Sequence, residues 1–252
     1  MEQRERVLIV SVQTTQTDED FAYANQELEQ LVDTAMGEVV ATVTQKRESI
    51  SGRTLVGKGK VEEISHLVDE LEVDLVVFYQ SLTGSMVKNL NESINCRIID
   101  RVQLILDIFA MRARSKEGKL QVQLAQLNYL LPRLSGQREG LSRQGGGIGT
   151  RGPGETRLET DRRYIRKQIQ DIEEQLEQIK KHRERSREKR KSSNGFQLGL
   201  IGYTNAGKST ILNQLTQAGT YQMDQLFATL DPLTRQVDLF PNFEVTLTDT
   251  VG

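Results

Sequence analysis

Gly202-Tyr203-Thr204-Asn205-Ala206-Gly207-Lys208-Ser209 is the stretch that decides how the rest of this 252-residue sequence is read. It meets the phosphate-binding pattern Gly-x-x-x-x-Gly-Lys-Ser/Thr at every fixed position. The apolar run Phe196, Leu198, Leu200 and Ile201 predicts a strand entering the loop, and Thr210 to Gln217 predicts the helix leaving it. Each residue type then has a task. Glycines let successive backbone N–H groups turn inward, Lys208 reaches the β- and γ-phosphates, and the Ser209 hydroxyl suits Mg²⁺ at a helix N-terminus. A chance glycine turn would rarely fall between a strand and a helix.

Forty residues on, the alternating Phe243, Val245 and Leu247 predict another strand, which runs into Asp249-Thr250-Val251-Gly252. This is the second nucleotide motif, Asp-x-x-Gly: the carboxylate holds Mg²⁺ through water and the glycine N–H meets the γ-phosphate. No Asn/Thr-Lys-x-Asp base-reading motif follows, and no further strands complete a doubly wound sheet. The sequence is therefore expected to hold only the first part of a nucleotide-binding domain.

With 37% hydrophobic and 27% charged residues and no apolar run near the ~18 residues of a membrane span, a soluble chain of about two domains is expected. Met1 to Arg6 is polar and does not resemble a signal peptide. Cys96 alone excludes a disulfide framework and fits a reducing cytoplasm. Together with His66 and His182 it is too little for a metal cluster, so these residues are read as packing or surface positions.

Net charge is −2, but its distribution is uneven. Arg101 to Gly195 carries 22 Lys/Arg against 12 Asp/Glu, whereas the remainder carries 11 against 23. A basic middle between acidic flanks predicts a polyanionic partner for the middle.

In chain order, Arg6–Gln13 reads as a buried strand, Asp18–Met36 as an amphipathic helix and Glu38–Thr44 as a second strand. Lys60–Leu71 reads as helix, Val73–Tyr79 as strand, Ser85–Asn95 as helix and Cys96–Asp100 as strand, the unit ending near Asp107. Such alternation implies parallel pairing and a small α/β domain. Two glycine stretches are decoys. Gly52-Arg-Thr-Leu-Val-Gly57-Lys58-Gly59 has glycine where Mg²⁺ needs a hydroxyl, and Thr54 and Leu55 favour extended backbone; it is read as a turn opening the next helix. Gly147-Ile-Gly149-Thr-Arg-Gly152 follows Arg143 and Gln144 where a dinucleotide fold needs an apolar strand.

The middle predicts two long helices. Leu120, Leu124, Leu127, Leu131 and Leu134 share one 3.5-residue period, and Ile165, Ile169, Ile172, Leu176 and Ile179 share another. An antiparallel hairpin would bury each stripe on the other. Its connection, Ser135 to Arg157, holds eight glycines and Arg138, Arg143, Arg151 and Arg157, with almost no apolar side chain. A spacer needs no arginines, whereas close backbone approach and forked guanidiniums suit RNA phosphates. Lys180 to Lys191 adds eight basic residues against two acidic ones at the second helix's end, a position whose dipole also favours cations.

Four segments together resemble one family. Val56-Gly57-Lys58-Gly59-Lys60, Gly145 to Thr156, Glu159-Thr-Asp-Arg-Arg163 and Gly202 to Ser209 are similar to the HflX-type GTPases of the Obg-HflX group, over essentially the whole chain. The resemblance implies an α/β fold in three parts: a small parallel-sheet N-terminal subdomain (1–110), an antiparallel two-helix hairpin (111–194) with its Gly/Arg-rich loop at 135–157, and an incomplete P-loop GTPase domain (195–252). It implies GTP as substrate, GDP as product and Mg²⁺ as cofactor. In the family's switch segment, Phe-Ala-Thr-Leu-Asp recurs as Phe227-Ala228-Thr229-Leu230-Asp231, so Thr229 would be the second Mg²⁺ ligand; Leu233 departs from the commoner threonine. It further implies a cytoplasmic monomer that binds the large ribosomal subunit and its rRNA and separates ribosomal subunits under GTP control. Guanine specificity comes from the resemblance alone, and no residue is assigned as the catalytic water-positioning group. The alternative reading is a non-catalytic rRNA-binding module with the nucleotide domain as scaffold; an ATP-dependent enzyme is a third.

Overall fold

From Val7 to Gln13 every residue is buried, which requires a strand covered on both faces. That strand, β1 (Glu5–Gln13), lies inside a parallel sheet. It pairs with β2 (Gly37–Lys46) on one side and β3 (Leu75–Phe78) on the other, and β3 pairs with β4 (Arg97–Asp100), giving the order β2-β1-β3-β4. Parallel neighbours need crossovers, and the helices α1 (Asp18–Thr34), α2 (Lys58–Glu70) and α3 (Gly84–Asn91) supply them. The computed structural model describes residues 4–50, 52–135, 153–191, 196–202, 208–216, 233–240 and 243–249.

Alternation along β1 fills two cores. Leu8, Val10 and Val12 pack with Val76, Phe78 and Ile98 of the sheet and with Ile64, Val68 and Leu90 of α2 and α3. Val7 and Ile9 point the other way, to the face that buries Leu28, Leu31 and Val32 of α1. Each fully buried aliphatic side chain stabilises by roughly 1.5–3 kcal/mol. Thr17 and Thr83 cap α1 and α3 by accepting the N–H groups of Asp20 and Met86.

The chain falls into two compact units, one of residues 1–107 with 125–169 and one of 108–124 with 170–252. Three further helices follow the first sheet in sequence: α4 (Arg101–Arg112), α5 (Lys116–Ser135) and α6 (Pro153–Lys191). Within the second unit Arg183 of α6 bonds Glu117 of α5, which sets the start of one helix beside the end of the other, as antiparallel pairing requires. Leu120 and Ile172 are buried there, Leu176 and Ile179 half-buried, and every other α6 residue from 170 to 185 is exposed. In the first unit Ile165 is buried and Ile169 half-buried. Among its described residues the second unit also holds a sheet of β5 (Phe196–Leu200), β6 (Leu233–Phe240) and β7 (Phe243–Asp249) in the order β5-β7-β6, with α7 (Lys208–Thr216). Val245 and Leu247 are its buried centre.

The structure corrects the sequence reading in four places. Helix α2 opens at Lys58, two residues before the expected Lys60, with Gly57 as its N-cap. Leu55, read as extended, has φ of 65° and is buried, because burying the side chain under α2 outweighs the ~1–2 kcal/mol cost of left-handed backbone. α4 and β6 were not anticipated. Finally, α5 is covered on two faces, for besides the leucine stripe a second row, Val122, Gln126, Tyr129 and Arg133, is buried or half-buried at the same four-three-four spacing. Three of its four members are polar or amphipathic, so an apolar period does not detect it.

Candidate functional site

β5 feeds Ile201 and Gly202, and α7 begins at Lys208. The Lys208 ammonium donates to the Gly202 carbonyl at 2.8 Å, tying the two ends of the loop together. The first turn of α7 carries no acidic residue, so nothing there opposes the partial positive charge of the helix start. Register places the remaining motifs. β5 runs parallel to β7 with Leu200 opposite Asp249, and β6 runs antiparallel to β7 with Leu233 opposite the same Asp249. The end of β5, the start of β6 and the end of β7, far apart in sequence, thus reach one edge of the sheet. At a strand spacing of about 4.8 Å, the outer two lie about 10 Å apart across Asp249. That is the carboxyl edge of parallel strands, where α/β folds bind ligands.

Ser209 is the second residue of α7 and Asp249 the last of β7. A hydroxyl and a carboxylate are hard oxygen donors, the type Mg²⁺ takes. Tyr203, Thr204, Asn205, Ala206, Gly207, Phe227, Ala228, Thr229, Leu230, Asp231, Thr250, Val251 and Gly252 lie outside the described residues. So do Arg138, Arg143 and Arg151, while Arg157 is placed only as backbone near the start of α6. Among the described residues no group of three His, Cys, Asp or Glu could hold a metal, and no helix is long and apolar enough to cross a membrane. Cys96 is half-buried, its thiol donating to the Val73 carbonyl at 3.3 Å, and burial pushes its pKa up. Such a thiol is a packing group with little thiolate character.

A second polar cluster, in the first unit, was not visible in the sequence. Asp100 ends β4 and is 1% exposed. One carboxylate oxygen accepts the Leu82 N–H at 2.8 Å and the Arg133 guanidinium at 3.3 Å, and the other accepts the Gln103 N–H at 3.0 Å. The Tyr129 pKa is pushed up, first by burial and then by the nearby Asp100 carboxylate. The guanidinium also lies 3.3 Å from the centre of the Tyr129 ring. Beside this cluster is a cavity of about 300 Å³ lined by Val87, Ile98 and Leu106 and by Asp107, whose carboxyl burial holds above the usual range. The trace in the sequence is slight: an acid closing the buried strand Arg97-Ile-Ile-Asp100, and an arginine after Pro132 in a helix's last turn.

Comparison with known proteins covers nearly all the chain. Residues 22–110 match the family model described as GTP-binding GTPase N-terminal, 112–190 the GTP-binding GTPase Middle Region, and 197–252 the 50S ribosome-binding GTPase. The chain is 60% identical to the GTPase HflX of Alkalihalophilus pseudofirmus, over 98% of this chain and 59% of that one. It is 46% identical to the GTPase HflX of Escherichia coli, over 98% and 58% respectively. It thus spans a little under three fifths of the length of these relatives. Among solved structures, the SsGBP and GDP complex gives a TM-score of 0.53 at 22% identity, covering 96% of this chain and 61% of that one. A GTP-binding protein of Sulfolobus solfataricus in complex with GDP gives 0.50 at 22% identity, covering 98% and 61%. At that identity the likeness shows the fold alone.

Proposed function

Because the chain belongs to the HflX family of GTPases, we propose that the whole protein binds and hydrolyses GTP, associates with the large ribosomal subunit and promotes the separation of ribosomal subunits. Three parts share the work: an N-terminal α/β part (1–110), a helical hairpin (111–194) and the nucleotide domain that begins near 195. The observation that supports the nucleotide reading is the register at Asp249, which sets the end of β5, the start of β6 and Asp249 itself at one sheet edge.

Each residue then does what its chemistry permits. Backbone N–H groups from Gly202 to Ser209 hold phosphate oxygens, and Lys208 exchanges the Gly202 carbonyl for the β- and γ-phosphates. Ser209 and Thr229 would hold Mg²⁺ directly and Asp249 would hold it through water, and the ion would supply neutralisation of phosphate charge. The Gly252 N–H meets the γ-phosphate, so GTP and GDP leave the chain around Gly252 and Thr229 in different arrangements. Such a nucleotide-dependent rearrangement is how GTP would govern hold on the ribosome.

RNA is the partner of the hairpin. Arg138, Arg143, Arg151 and Arg157 fork onto rRNA phosphates, and the eight glycines around them allow close approach. A family described as 50S ribosome-binding, matched at 197–252, supports the choice of the large subunit. The protein is expected to act as a cytoplasmic monomer. Changing all four arginines to alanine in the full-length protein should weaken large-subunit binding and flatten its salt dependence by about three to four units of log K per log salt. A salt slope equal to the parent's would sink the RNA reading.

A further inference from the structure

Arg133 belongs to the basic middle of the sequence and lies three residues before Gly136, where the glycine- and arginine-rich segment begins. Its placement is opposite to that of a phosphate-binding arginine. The side chain turns inward to the Asp100 carboxylate, which is fully buried, at 3.3 Å. It stacks on the Tyr129 ring and donates to the Tyr129 carbonyl at 2.8 Å. Both terminal nitrogens of the guanidinium are thus engaged, one with its own helix and one with the end of β4.

The backbone there is fixed as well. A Cβ on Gly84, the first residue of α3, would stand 2.3 Å from the Arg133 carbonyl oxygen and 2.9 Å from its Cα. Only glycine allows the start of α3 to sit against the end of α5. Pro132 lies one residue earlier in the helix. Asp100 meanwhile holds Leu82 and Gln103, so one carboxylate links the residue before Thr83 and α3, the start of α4 and the end of α5.

We propose that Asp100, Tyr129, Arg133 and Gly84 form a latch whose task is to fix the point and direction at which α5 delivers the chain to the RNA-binding segment. These are positioning residues; none touches RNA. The inference rests on the RNA reading above, deepens it, and makes a distinct prediction. Loss of a positioning residue lowers affinity through poorer presentation of the segment, but the number of phosphates neutralised in the complex stays the same. Loss of a phosphate ligand lowers the salt slope, by about 0.7–0.9 per contact.

The test measures large-subunit binding by the full-length protein across a salt series, for the parent, Arg133→Met, Tyr129→Phe and the four-arginine variant. Arg133→Met should bind at least fivefold more weakly with the parent's slope. Tyr129→Phe, which removes one hydroxyl and folds as the parent does, should bind about twofold more weakly with the same slope. Binding by both at the parent's affinity, while the four-arginine variant loses slope, overturns the latch alone. A slope lower by about one in Arg133→Met shows a phosphate contact and also overturns it. A parent that does not bind large subunits at all overturns the RNA reading and the latch with it. Should Arg133→Met fail to fold, the Tyr129→Phe result decides.

Discussion

Each of the two sheets of this chain contains parallel strands with a helix following the first of them, and the two differ in what stands at the carboxyl ends of those strands. In the first, the crevice between β1 and β3 is closed by the Gln80 amide, which accepts the Val12 N–H at 3.1 Å and donates to the Val12 carbonyl. The helix that follows β1 opens with Asp18, Glu19 and Asp20, three charges that would repel a phosphate. Three cations at that edge are paired: Lys46 with Asp18, Arg101 with Glu27 and Arg133 with Asp100. In the second, β5 leads to Gly202, α7 opens with Lys208, and its first turn has no acid. One sheet sets acidic residues and paired cations at its edge, and the other sets a lysine and an acid-free helix start there. Architecture alone therefore assigns no function; the residues at the strand ends do.

The sharpest way to break this comparison is at Lys208. In the full-length protein Lys208→Ala should weaken binding of a fluorescent GTP analogue at least a hundredfold, about 3 kcal/mol, with the circular dichroism spectrum unchanged. A loss under threefold would mean that the second edge is no more a phosphate site than the first. Next in size is the helical seam. Ile172 is 4% exposed, so Ile172→Asp places an unpaired charge among apolar side chains and should cost several kcal/mol, of order 3. Hydrogen exchange should then show protection lost in α5 and α6 and kept in β1 and β3; protection kept in all four would place the seam elsewhere. The smallest effect belongs to the closed edge. Gln80→Ala leaves the Val12 N–H and carbonyl without their partner and should lower stability by about 1–2 kcal/mol in a denaturant titration. It should not create nucleotide binding, and a variant that gained it would show that one amide is all that separates the two edges.

Much of this was legible in the residues. β1 is visible as Val7-Leu-Ile-Val10 because a strand buried on both faces must be apolar throughout, and the parallel order follows from helices alternating with strands. The stripe from Ile165 to Ile179 is legible because its other neighbours on α6 are polar, and from 170 onward the structure leaves those neighbours exposed. The Gly202 loop is legible because phosphate chemistry fixes residue types at fixed spacing. Other features depend on partners distant in sequence. Arg133 reads as one more basic residue until the fold brings Asp100, 33 positions earlier, beneath it. Leu55 takes a left-handed backbone that no local preference suggests, since its reward is burial against α2. α4 was missed because its apolar residues, Val102, Leu104, Ile105, Leu106, Ile108 and Phe109, are too dense to show a single face.

The central claim is that nucleotide held at the second edge governs association of the whole protein with the large ribosomal subunit. Co-sedimentation of the full-length protein with purified large subunits, with a non-hydrolysable GTP analogue in one arm and GDP in the other, tests it most directly. Association at least tenfold tighter with the analogue, about 1.4 kcal/mol or more, is the expected result. Equal partition in the two arms would contradict the account.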